Sequence, residues 1–305
     1  MNLLVALPSD ELVARIAPKV DDGVDLIVWH AGEPQPDRII DLLVTPYVVT
    51  YESLAGLTGE VRVIQSQSLG YDGAAKFIPS GVTFCNAVGV HEAPTAELAL
   101  TLVLASQRGW PAIGRYQDAQ EWDRTAYPGL IGCRVLLIGV GGIGSEVEKR
   151  LTGFGAELTR VARTARDGVH GIDELPALLP NADIVILAVP LSDETRGLVD
   201  GAFLDLLPAG ALVVNVSRGP IVDTDALVEH VRSGAVRCAL DVVDPEPLPA
   251  GHPLWSLPGS LISPHLGGNV QSMRSRIDPL IIEQIALLRR GLVPRNIVIP
   301  AGHQE

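Results

Sequence analysis

Val135-Leu136-Leu137-Ile138-Gly139-Val140-Gly141-Gly142-Ile143-Gly144, followed by the helical pattern of Ser145 to Phe154, sets an apolar run, a G-x-G-x-x-G turn and a helix in that order. A strand aims the turn, glycine lets the backbone turn tightly and approach a ligand closely, and the helix start presents free N–H groups with the positive end of its dipole. Gly139, Gly141, Gly142, Ile143 and Gly144 therefore form a candidate cradle for the pyrophosphate of a dinucleotide. A bare Gly-rich turn is the alternative, and the flanking strand and helix weigh against it.

Around this turn the apolar runs Val135–Val140, Leu158–Val161, Ile184–Val189, Ala211–Val216, Cys238–Val243 and Leu261–Ile262 read as six strands separated mostly by helical patterns. Such alternation implies parallel strands with crossover helices on both faces. Upstream, Asn2–Leu7, Leu26–Val28 and Val61–Ile64 repeat the pattern with helix-like segments between them. Pro94 to Arg108 reads as a long buried helix, 109–129 as a loop, and Gln271–Arg290 as a helix leading to Asn296–Ile299. The expected fold class is α/β, with two Rossmann-like, doubly wound parallel-sheet domains. Residues 1–95 plus 275–305 form a discontinuous, flavodoxin-like substrate domain, and residues 96–274 the dinucleotide-binding domain.

Composition narrows the function. The 305 residues carry 23 Lys+Arg against 36 Asp+Glu, a net charge of −13, so no basic field exists to hold nucleic acid or an anionic membrane surface. No apolar run approaches the roughly 18 residues of a membrane span, and the start of the chain lacks a basic leader. Cys85, Cys133 and Cys238 have neither disulfide nor metal-ligand spacing, which fits a reducing cytoplasm and no metal.

The end of the second strand decides between coenzymes. NAD-type sites place an Asp or Glu there for the ribose 2′-hydroxyl. Here the chain reads Arg163-Thr164-Ala165-Arg166, whose fixed, planar cations suit a 2′-phosphate. NADP(H) is the expectation, with NAD(H) as second choice; the bland alternative pairs these arginines with Asp167 or Glu174 as solvated loop charges.

Three functional residue types follow strand ends: Arg218 in Asn215-Val216-Ser217-Arg218-Gly219, Glu246 in Asp244-Pro245-Glu246-Pro247, and His265 in Ser263-Pro264-His265-Leu266-Gly267-Gly268. Imidazole exchanges protons near neutrality, a carboxylate on its other nitrogen fixes the tautomer, and a guanidinium fork matches a carboxylate. Taken singly, His265 could cap a loop, Glu246 sit at the surface and Arg218 form a structural ion pair.

The ordered segments GVGGIG, FGAEL, AVPLSDETRGLV, NVSRGPIVD, DVVDPEPLP and SPHLGG resemble the D-2-hydroxyacid dehydrogenase family over nearly the whole chain. The resemblance implies that Arg218 binds the substrate carboxylate and carbonyl, that Glu246 assists His265, and that His265 is the proton donor and acceptor. His91 and His252 do not lie in the matching segment. It further implies that Asp241 contacts the nicotinamide carboxamide, with a turn cap as alternative. Val189, Pro190, Val216, Ser217, Gly267, Gly268 and Thr95 would line the cofactor. In Ser68-Leu69-Gly70-Tyr71-Asp72, the backbone N–H groups of Leu69 and Gly70 would hold the substrate carboxylate, unless the segment is a plain turn.

By the same resemblance the two domains hinge and close over the ligands, and the 109–129 stretch with Trp110 and Trp122 contributes to a homodimer. Formate-type relatives carry Gln where Glu246 stands, and phosphoglycerate dehydrogenases often add a C-terminal domain for which no residues follow Glu305. Val44-Thr45-Pro46-Tyr47 also lacks a basic residue for a phosphate. A small 2-keto acid of the glyoxylate or hydroxypyruvate type is expected. Tyr47 and Tyr71 leave an aromatic acid open, and a phosphoglycerate dehydrogenase-type enzyme or an NAD(P)H-sensing corepressor of the same fold are the alternatives.

Overall fold

The computed structural model describes residues 2–57 and 59–303. Met1, Thr58, Gln304 and Glu305, which the expected substrate domain includes, lie outside the described residues. In chain order the elements are β1 (Leu3–Leu7), α1 (Asp10–Ile16), β2 (Val24–Val28), β3 (Ile40–Val44), β4 (Val61–Gln65) and β5 (Thr83–Cys85). Then come α2 (Glu92–Gln107), α3 (Trp110–Ala119), β6 (Arg134–Ile138), α4 (Gly142–Leu151), β7 (Glu157–Ala162), β8 (His170–Gly171) and α5 (Leu175–Leu178). The chain continues through β9 (Ile184–Leu187), α6 (Gly201–Asp205), β10 (Ala211–Asn215), α7 (Thr224–Arg232), β11 (Val236–Leu240) and β12 (Ser260–Ile262), and ends with α8 (Met273–Arg289) and β13 (Ile297–Ile299).

Two compact units result, Met1–His91 with Gln271–Glu305, and Glu92–Val270. The divisions fall four residues before those drawn from the sequence, so that α2 and α8 each stay whole within one unit.

In the first unit the sheet order is β13-β5-β4-β3-β1-β2. Strands β1 to β5 are parallel in a 2-1-3-4-5 doubly wound order, while β13 pairs antiparallel with β5, an edge the all-parallel expectation did not include. The helix-like connectors expected here reduce to α1 and short 3₁₀ turns such as Tyr51–Leu54 and Ala74–Lys76. Pro34, Pro36, Pro46, Pro79 and the glycines between them break any longer helical run. Helix α8 is tied in by polar groups: buried Asp278 accepts from Arg15 and Lys19, and buried Gln284 donates to Gln65 at 2.6 Å.

The second unit has the order β12-β11-β10-β9-β6-β7-β8, a Rossmann-type sheet in which the six expected strands are joined at one edge by the two-residue β8. Along β6 the side chains alternate, Leu136 and Ile138 joining one apolar cluster and Val135 and Leu137 the other, so both faces are covered. Most strands stop short of their apolar runs; β6 ends at Ile138 because Gly139 turns left-handed at φ +103°. The expected loop over 109–129 instead opens with α3, a surface helix with no buried residue and hence no apolar stripe to reveal it. No helix among the described residues is long and apolar enough to cross a membrane.

Candidate active site

The glycines of the turn do different work. A Cβ on Gly139 would lie 2.2 Å from the Ala188 carbonyl oxygen, and one on Gly144 would lie 2.0 Å from that of Gly139, so both are fixed by packing. Gly142 likewise abuts the Glu92 side chain at 2.7 Å. Gly141 meets nothing within 4 Å; it is the N-terminal cap of α4 and offers no side-chain cap to the first-turn amides. An open glycine at an uncapped, ten-residue helix start fits a pyrophosphate, whose oxygens would take the N–H groups that no side chain satisfies. Ile143, one position before Gly144, is half-buried against the cluster below.

At the end of β7, Arg163, Thr164 and Arg166 are all exposed. Arg166 and Val169 exchange backbone hydrogen bonds of 2.9 and 2.8 Å around Gly168, closing a tight turn. The Arg163 guanidinium stands 3.8 Å from Glu194, not beside Asp167 or Glu174. Glu174 instead meets His170 at 2.7 Å. The Glu194 carboxyl is held below its usual range mainly by the Ser192 hydroxyl, then by its own backbone N–H, and less by Arg163.

The facing strand ends are stitched together. Ser217 Oγ accepts from the Val189 N–H at 3.0 Å, Pro190 accepts from Thr195, and Val216 is buried beneath. Asn215 is wholly buried; its side chain accepts from the Ser217 N–H and donates to the Arg218 carbonyl, setting the loop that carries Arg218. A Cβ on Gly219 would lie 1.9 Å from the Val243 carbonyl oxygen, so glycine permits the Arg218 loop to press against the segment leading to Glu246. Thr224 adds a 2.8 Å hydrogen bond to the Asp244 carbonyl. Half-buried Arg218 donates to the Ser217 carbonyl at 2.6 Å.

His265 Nδ1 and Glu246 Oε1 are 2.5 Å apart, both side chains partly exposed. The carboxylate fixes the proton on Nδ1 and leaves Nε2 as the nitrogen available for exchange. His265 has φ +55°, a left-handed conformation that a non-glycine residue keeps only when its surroundings enforce it.

Buried Asp241 supplies that enforcement. Its Oδ1 accepts from Ser263 Oγ and the Leu266 N–H, both at 2.7 Å, and its Oδ2 from the Gly267 N–H at 2.9 Å. Its carbonyl also accepts from the His265 N–H at 2.8 Å. Asp241 thus anchors the His265 loop through both its side chain and its carbonyl. Thr95 lies beneath Gly267, its side chain 3.2 Å from where a Cβ would stand, and Gly268 accepts from Val270. The part of Gly219 was not read from the sequence, and Asp241 was read there only as a nicotinamide contact or a turn cap, since the anchoring of the His265 loop depends on contacts more than 20 residues apart.

Leu69 and Gly70 belong to the first unit. Their carbonyls accept from Asn86 at 2.8 Å and Tyr51 at 3.1 Å, which fixes the peptide planes of the loop. His91 is buried in the same unit with Nε2 2.6 Å from the Gln67 carbonyl, and His252 caps the turn at Leu254. No group of His, Cys, Asp and Glu that could hold a metal occurs among the described residues.

Residues 100–267, more than half of the chain, match the family described as D-isomer specific 2-hydroxyacid dehydrogenase, NAD binding domain. The glyoxylate reductase of Korarchaeum cryptofilum is 27% identical, covering 94% of this chain and 93% of its own length. The D-3-phosphoglycerate dehydrogenase of Methanocaldococcus jannaschii is 31% identical over 98% of this chain, which spans only 59% of that protein. A D-isomer specific 2-hydroxyacid dehydrogenase from Xanthobacter autotrophicus Py2, solved in complex with NADPH and MES, matches with a TM-score of 0.82 at 26% identity over 98% of both chains. The chain belongs to the D-isomer specific 2-hydroxyacid dehydrogenase family, oxidoreductases that bind a nicotinamide cofactor and act on the CH-OH group of small 2-hydroxy acids or on the matching 2-keto acids.

Proposed function

We propose that the protein interconverts a small, unphosphorylated 2-keto acid of the glyoxylate or hydroxypyruvate type and its D-2-hydroxy acid, preferring NADP(H) to NAD(H). The observation that carries this reading is the 2.5 Å pair of His265 and Glu246 on a strand-end loop that Asp241 holds, with the Arg218 loop pressed against the neighbouring segment. When bound, the nicotinamide supplies or removes the hydride. His265 Nε2 gives the proton to the carbonyl oxygen as charge develops there, Glu246 keeps the ring in the competent tautomer, and Arg218 holds the carboxylate. The N–H groups of Leu69 and Gly70 assist at the same carboxylate. Arg163, Thr164 and Arg166 receive the 2′-phosphate of the coenzyme, at a strand end that bears no carboxylate.

The test is oxidation of NADPH and NADH at 340 nm against glyoxylate, hydroxypyruvate, pyruvate and phosphohydroxypyruvate. NADPH turnover with an unphosphorylated acid supports the reading; preference for NADH overturns its coenzyme half, and preference for the phosphorylated acid favours a phosphoglycerate dehydrogenase-type activity instead. Binding of the coenzyme with no turnover of any acid favours the sensing role. His265→Ala is expected to lower kcat by about 10²- to 10⁴-fold while leaving the NADPH dissociation constant nearly unchanged. The homodimer belongs to this proposal as well, through the segment bearing Trp110 and the 92% exposed Trp122, and light scattering tests it.

A further inference from the structure

The segment Ser68-Leu69-Gly70, which follows β4, offers its amides and ties down its carbonyls. Among the described residues the N–H groups of Leu69 and Gly70 donate to no protein atom. All three carbonyls are taken: that of Ser68 accepts from the Ala87 N–H at 2.9 Å, that of Leu69 from Asn86 Nδ2 at 2.8 Å, and that of Gly70 from the Tyr51 hydroxyl at 3.1 Å. A trans peptide is planar, with its C=O and N–H pointing opposite ways. The bond from Ala87 therefore sets the direction of the Leu69 N–H, and the bond from Asn86 sets that of the Gly70 N–H. The first is a backbone tie that any residue but proline could make, whereas the second needs a side-chain donor with the reach of Asn86.

Asn86, just past β5 and only 3% exposed, is itself held from both sides. Its N–H donates to the Asn296 carbonyl at 3.0 Å, and its carbonyl accepts from Gln65 Nε2 at 2.9 Å. Gln65 is fixed in turn by Gln284 of α8, whose Nε2 donates to Gln65 Oε1 at 2.6 Å and to the Arg295 carbonyl at 2.9 Å. Both glutamines are fully buried, so the chain of amides from α8 to Asn86 has no water to loosen it. Asn86 Oδ1, by contrast, is buried without a hydrogen-bond partner. An orphaned buried oxygen opposes stability, and an apolar side chain of the same shape would avoid that cost. What the asparagine contributes is the donor on its other side, toward Leu69.

We propose that Asn86 is a positioning residue for the substrate: by holding the Leu69 carbonyl it keeps the Gly70 N–H aimed at the carboxylate of the 2-keto acid. The inference rests on the reading that the Leu69 and Gly70 amides take that carboxylate, and it names the side chain that sets their affinity. The carboxylate is held alike in the bound substrate and in the transition state, so a loss here raises KM and spares kcat.

The test compares the full-length wild type with Asn86→Leu, which keeps the shape and removes the donor, and with Asn86→Ala, which leaves room for a water. KM and kcat for glyoxylate and the NADPH dissociation constant are measured in each. The Gly70 amide resonance is followed by ¹⁵N NMR as oxamate, an unreactive 2-keto acid analogue with the same carboxylate, is added to the coenzyme-bound protein. The expected result is a KM raised about tenfold in the variants, with kcat and the NADPH dissociation constant within about twofold of wild type. The Gly70 resonance should move with oxamate in the wild type and much less in the variants. A KM within about twofold of wild type in a folded variant, or a kcat that falls as far as KM rises, overturns the inference. So does a Gly70 resonance that responds equally in all three proteins, while the carboxylate reading of the loop stands. A Gly70 resonance that oxamate does not move in the wild type overturns that reading and the inference with it.

Discussion

At the residue scale, Asp241 shows how a single buried carboxylate can set the conformation of the loop that carries the proposed proton donor, His265. Its acceptors meet three donors of the His265 loop, and an amide in its place would turn an N–H₂ toward at least one of those donors. Asp241→Asn is expected to destabilise the protein by roughly 1–3 kcal/mol and to lower kcat more than it weakens NADPH binding. A rise in the NADPH dissociation constant with kcat intact would assign Asp241 to the nicotinamide instead. The residue types of the site were legible because chemistry limits them: an imidazole, a carboxylate, a guanidinium and glycines at a helix start. What Gly219 and Asp241 support was not legible, because both act through contacts more than 20 residues apart that only the folded sheet creates.

At the scale of elements, the glycine turn separates packing from ligand approach. Gly144→Ala would force a Cβ within 2.0 Å of a carbonyl oxygen and should both destabilise the fold and abolish coenzyme binding. Gly141 has φ −75° and open space, so Gly141→Ala should leave the melting temperature almost unchanged while weakening NADPH binding. Equal loss of stability in the two variants would refute the distinction. Helices α6 and α7 carry a pH-dependent tie. His230 places Nε2 3.0 Å from Asp205 and Nδ1 2.7 Å from the Ala226 carbonyl, and only the imidazolium can donate to both. Asp205 first, then that carbonyl, raises the histidine above its ordinary 6.5. Its contribution to stability is therefore complete below about 6.5 and fades as pH rises through the elevated folded-state value. His230→Gln should lower the urea midpoint in mildly acidic buffer and change it less in alkaline buffer. The central strands β6, β9 and β10 of the second unit were readable as apolar runs, whereas β3, with Asp41 inside it, β5, only three residues long, and α3, with no buried face, gave no periodic signal.

At the scale of the whole molecule, each unit encloses its own apolar clusters, on both faces of its own sheet. Residues 92–270 are continuous in sequence, so this segment expressed alone should unfold in one cooperative transition and retain affinity for the coenzyme. Residues 1–91 alone lack α8 and β13 and should remain at least partly unfolded in the same assay. Ile277, Ile281 and Ile285 of α8 fill the core against β1 and β3, and β13 covers the edge of β5. During synthesis the interior segment can therefore fold while β1 to β5 wait, their edge and one face open, for α8 and β13 to leave the ribosome. The segment translated first is the one completed last, and during that interval it is the part most exposed to aggregation and to chaperones.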